Sequence, residues 1–136
     1  MKKSQISFEY LIIMSFVILV VIGIVIISYV YSGVVKDRIK MTQLENCANK
    51  ITSTSEAVFY RGVPSKATIN CYLPDNIVGA EIDENSVIFS FYTSSGSATI
   101  AFSSNVPISG TLVAKQGIRK IEINALEGEA SITDIT

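Results

Sequence analysis

No Asp, Glu, Lys or Arg occurs between Glu9 and Lys36, so Tyr10 to Val35 forms an uncharged run of 26 residues, rich in Ile and Val. A run this long constrains the chain more than any other feature. As helix it covers about 39 Å at the usual rise, against a bilayer hydrocarbon core of about 30 Å. Its β-branched residues would suit a buried strand in a short stretch. Over 26 residues, however, the backbone satisfies its own polar groups away from water only as a helix.

The run also explains the composition. The chain is 49% hydrophobic and 17% charged, where soluble domains carry about 25% charged residues. At 136 residues there is room for one folded domain plus such an accessory helix, and none for a large multidomain enzyme.

What is missing narrows the chemistry. There is no histidine, which removes the usual general base, the commonest metal ligand and every Ser-His-Asp or Cys-His arrangement. The net charge is −1, and the 11 Lys and Arg residues form no basic stripe with interleaved aromatics, so no nucleic-acid partner is expected. No G-x-x-x-x-G-K-[ST] loop is present to bind a nucleotide. Asp75, Glu81, Asp83 and Glu84 make an acidic patch whose spacing does not match a calcium loop; it reads as a solvated turn, and no metal is assigned. Glu122, Glu127 and Glu129 read as surface residues. No cofactor and no enzymatic activity are expected. Cys47 and Cys71 form no C-x-x-C motif; they are either one disulfide, in an oxidising compartment, or two buried thiols.

Four regions follow: a polar leader, residues 1–4; the hydrophobic helix, 5–35; an amphipathic continuation, 36–61; and a β-rich head, 62–136. In the continuation Leu44, Ala48, Ile51, Ser55 and Val58 fall on one stripe of a 3.6-residue period. Gly33 is a weak point at the join, where a kink or a change of packing partner is expected. Gly62 followed by Val63-Pro64 ends the helix. Beyond it, period-two runs at 67–73, 86–92, 98–102, 111–114 and 120–124 read as strands, with 78–82 and 130–133 as further candidates. Turns rich in Gly, Ser, Asn and Pro separate them. The expected fold is therefore α+β: a long N-terminal hydrophobic helix followed by a small antiparallel β-sandwich-like head.

Lys2-Lys3-Ser4 followed by Gln5-Ile6-Ser7-Phe8-Glu9-Tyr10-Leu11 resembles the class III signal peptide of archaeal type IV pilin-like proteins, with its pattern Q-x-S-x-E-[FY]-L. The layout of basic leader, long helix and β-rich head resembles the same family over the whole chain. The resemblance implies that a prepilin peptidase cuts between Ser4 and Gln5, with Lys2, Lys3, Gln5, Ser7 and Glu9 serving recognition and assembly. The helix is then retained, and Glu9 becomes the fifth residue of the mature chain. Ser4 departs from the glycine usual at that place.

The family further implies a membrane-bound precursor, identical or related subunits in an extracellular filament that is adhesive in use, an assembly ATPase and a platform protein. In such a filament the Glu9 carboxylate is expected to pair with the new Gln5 amino group, on a neighbouring subunit or in its own first turn.

Rival readings differ in class. A plain signal anchor or a cleavable secretory peptide fits the apolar run, but the run exceeds the roughly 7–15-residue core of a signal peptide and no A-x-A site follows it. A monomeric membrane-anchored extracellular binding module is the main alternative, disfavoured by the small room expected for a ligand pocket of about 300–1,000 Å³. A secreted enzyme lacks a recognisable catalytic group. Charge does not set topology, because Lys2, Lys3 and the initiator amine balance Lys36, Arg38 and Lys40. The head is placed outside on the strength of the leader resemblance.

Overall fold

The computed structural model describes the backbone of residues 2–135 and the side chains of residues 7–135. The order of elements is α1 (Lys2–Arg61), β1 (Lys66–Leu73), β2 (Ile77–Asp83), β3 (Ser86–Thr93), β4 (Gly96–Ser103), β5 (Ile108–Thr111), β6 (Gly117–Ala125) and β7 (Ala130–Asp134). The chain divides into two units, one ending at Lys36 and one running from Asp37 onward.

In the first unit the helical backbone passes through Gly33 without interruption. An 18-residue window reaches a mean hydropathy of 3.3, long and apolar enough to cross a membrane, and none of it is buried. Inside this apolar stretch Ser15 returns its hydroxyl to the Leu11 carbonyl at 2.7 Å, which satisfies a polar group without a partner helix.

In the second unit, strands fall into a four-stranded sheet of order β1-β6-β7-β5 and a three-stranded sheet of order β2-β3-β4. Pairing is antiparallel throughout, except that β5 runs parallel to β7. The sequence reading anticipated an antiparallel sandwich and did not foresee this parallel pair. Alternation along the strands sorts the faces. Val87, Phe89 and Phe91 of β3 meet Ile121, Ile123, Ala125, Ala130 and Ile132 of the other sheet in one core.

The stripe read from the sequence is buried as a unit: Leu44, Ala48, Ile51, Ser55 and Val58 are each no more than 2% exposed. Polar contacts show where this part of α1 lies. On one side Lys40 pairs with Asp75 at 3.3 Å, and Lys50 donates to the Asn70 carbonyl at 3.3 Å, both along β1 and the loop after it. On the other side Ser94 donates its N–H (3.0 Å) and hydroxyl to Asp37, and Asn105 donates to Glu56, bracketing β4. The helix therefore fills the open seam between edge strands β1 and β4. At the opposite seam β2 and β5 approach each other directly.

Geometry requires glycine at positions 62 and 110, among others. Gly62 ends α1 in the left-handed region at φ 73°, with its N–H returned to the Phe59 carbonyl at 3.0 Å. Gly110 sits in β5 at φ 133°, where a Cβ would fall 1.9 Å from the Ile132 carbonyl oxygen of β7.

One expected strand is corrected. Of residues 111–114 only Thr111 belongs to a strand, and β5 instead begins at Ile108. The chain leaves the sheet after Thr111 because its next donors are taken elsewhere. The Val113 N–H goes to the Asp134 carboxylate at 3.3 Å, and the Lys115 N–H turns back to the Val113 carbonyl at 2.9 Å.

Candidate functional site

The residues singled out from the sequence fall in two places. At the N-terminal end, Ser7 and Glu9 lie on α1 with exposed side chains. The Lys2, Lys3, Ser4 and Gln5 side chains, on which the cleavage and recognition assignments rest, lie outside the described residues. Phe8 to Val35 displays its large apolar side chains on every face, between 41% and 84% exposed. Contiguous apolar surface of this extent is foreign to water-exposed monomers. At about 25 cal/mol per Å² it is compatible with membrane anchoring or with burial against other apolar helices.

The second place is the join between α1 and β1. Cys47 and Cys71 are bridged by a disulfide, with Cα atoms 5.3 Å apart, and both are nearly fully buried. Helix periodicity then brings Gln43, Asn46 and Lys50 to the same face as Cys47, since the four stand at i, i+3, i+4 and i+7. Strand alternation sends Cys71 inward and its neighbours Asn70 and Tyr72 outward. These five side chains and the disulfide line an open cleft of about 470 Å³. The room denied to a small head by the sequence reading is present here. Sequence inspection missed the cleft. The signal that could have found it was the cysteine pair, which fixes which residues of α1 and β1 are neighbours.

Electrostatics elsewhere in the head are structural. Lys66 and Asn124 both donate to Glu122, at 2.7 and 3.1 Å, and hold its carboxyl below the usual carboxylate range, with the Lys66 contact the larger cause. Arg119 and Asp134 form a buried ion pair. Of the acidic patch, Asp75 is engaged by Lys40. No group of three or more His, Cys, Asp or Glu that could hold a metal occurs among the described residues.

Comparison of the chain with protein-family models, with curated proteins and with solved structures gives no match.

Proposed function

We propose that this chain is a non-enzymatic structural subunit of an archaeal type IV pilus-like surface filament. The observation that carries the reading is the contrast along α1. Its first part offers apolar side chains on all faces to something outside the chain, while from Leu44 onward one stripe is spent on the core of a disulfide-linked β head. A helix of the first kind is stable in lipid as a precursor. It can leave lipid only where other apolar helices replace it, which is what a filament core supplies.

The resemblance of Gln5–Leu11 to a class III leader supports cleavage between Ser4 and Gln5 by a prepilin peptidase, with the helix retained. It likewise supports an assembly ATPase, a platform protein and identical or related subunits as partners. Pairing of Glu9 with the Gln5 amino group belongs to the same proposal: Glu9→Gln should lower filament yield, and unchanged yield removes the pairing.

A second reading is favoured by a specific observation. The cleft beside the disulfide has the size of a ligand site, as a monomeric membrane-anchored binding module would require. Sedimentation of sheared extracellular material separates the two. Polymer in the pellet supports the filament subunit, and protein recovered only with detergent from membranes supports the anchored module.

A further inference from the structure

We propose that the cleft between α1 and β1 is a saccharide-binding site, taking one or two pyranose units of an extracellular glycan against Tyr72. The inference does not depend on whether the chain polymerises. It rests on the composition and spare bonding capacity of the lining.

Three of the five side chains around the disulfide are amides, Gln43, Asn46 and Asn70, and none of their side-chain groups has a hydrogen-bond partner among the described residues. Elsewhere in the head Asn105 gives its side-chain N–H to Glu56 at 2.8 Å and Asn124 gives its own to Glu122 at 3.1 Å, while Asn49, Asn76, Asn85 and Gln116, like the cleft amides, have no side-chain partner among the described residues; what distinguishes the cleft is that three such amides share it with an aromatic ring. Each amide presents two donors and an acceptor with two lone pairs, which matches the mixed donor and acceptor character of sugar hydroxyls. Converging on one cleft, unpaired amides can receive a polyhydroxylated ligand without first breaking a protein hydrogen bond.

Tyr72 supplies the apolar counterpart. The residue is 47% exposed on the outward face of β1, the face that also carries Asn70, and its ring can offer a surface for the C–H face of a pyranose ring. Lys50 lines the cleft as well. Its ammonium already donates to the Asn70 carbonyl and has further N–H groups, so it adds hydrogen bonds and one positive charge. No carboxylate lines the cleft, so uronic acids are admitted along with neutral sugars. A nucleotide or other polyanion is poorly served by a single cation.

The site is also held still. Helix and strand are joined at the cleft by the Cys47–Cys71 bridge, which ties the two walls together covalently. A preset cleft spares the ligand the ordering cost that weakens small-ligand binding.

The test uses the full chain in lipid nanodiscs, screened on an immobilised panel of neutral and uronic-acid oligosaccharides. Any glycan retained is then titrated in solution against wild type, Tyr72→Ala, Asn46→Ala, and Tyr60→Ala as an exposed aromatic control outside the cleft. The expected result is retention of at least one glycan, weakened about tenfold or more by Tyr72→Ala and by Asn46→Ala and unchanged by Tyr60→Ala. Circular dichroism establishes that each variant is folded. Retention of no glycan, or binding that folded Tyr72→Ala and Asn46→Ala leave unaltered, overturns the proposal.

Discussion

The Arg119 guanidinium donates to a single oxygen of Asp134 from two nitrogens, at 3.0 and 2.8 Å, and the Asp134 side chain is only 3% exposed. The same oxygen accepts the Val113 N–H, so one buried carboxylate ties β6, β7 and the segment that follows β5. Removing Asp134 takes two charge-assisted bonds from the largely buried Arg119 guanidinium and one from the Val113 N–H. Asp134→Ala is therefore expected to cost about 3–5 kcal/mol, and pairing it with Arg119→Met to recover part of the loss. Urea unfolding of the single and double variants checks this.

Ser55 is the polar member of an otherwise apolar stripe, fully buried, and its hydroxyl has no hydrogen-bond partner among the described residues. An unsatisfied buried hydroxyl carries a desolvation cost with no return. Ser55→Ala should stabilise the head by about 1 kcal/mol, since alanine also favours helix. A lower unfolding midpoint than wild type would show that the hydroxyl has a role in the core.

Gly110→Ala should do the opposite. The added methyl would collide with the Ile132 backbone at a φ that alanine rarely adopts, so β5 must shift away from β7. A loss of about 2 kcal/mol or more is expected, read by thermal unfolding.

The architecture was legible where local rules decide it. Leu44, Ala48, Ile51, Ser55 and Val58 announce a buried helix face by spacing alone, and all five are buried. Gly62 before Val63-Pro64 marks the helix end at Arg61. What escaped was non-local. Leu112-Val113-Ala114 has strand character, but the Asp134 carboxylate, 21 residues downstream of Val113, takes the donor that a ladder would need. The parallel β5–β7 pair and the Arg119–Asp134 bond depend on topology in the same way. The cleft was hidden for a related reason: Gln43 and Tyr72 are ordinary surface residues until the cysteine bridge sets α1 beside β1.

Glu122 gives the head a defined acid response. Its carboxyl titrates below the ordinary value because Lys66 and Asn124 favour the charged form. A depressed folded-state pKa contributes stability that is complete above the unfolded value of about 4.3 and is lost as pH falls below it. Glu122→Gln should therefore flatten the decline in unfolding midpoint below about pH 4.5 and lower the midpoint at neutral pH. Parallel pH curves for the two proteins would show that this carboxylate is uncoupled from folding.

The disulfide should matter in proportion to the segment it closes. Cys47 and Cys71 are 24 residues apart, and removing the bridge by Cys47→Ser with Cys71→Ser is expected to cost about 3 kcal/mol. Denaturant midpoints of the double variant and of wild type, without reductant, check the figure.

The central claim, a retained apolar helix released into an extracellular filament, is tested most directly at the N-terminus of the native protein. Intact-mass and N-terminal peptide mass spectrometry should be run separately on membranes and on sheared surface material from the native host. The account predicts a mature chain beginning at Gln5 in the sheared fraction, with Tyr10–Val35 intact. A chain that keeps Met1–Ser4 there, or one that starts after Val35, contradicts it.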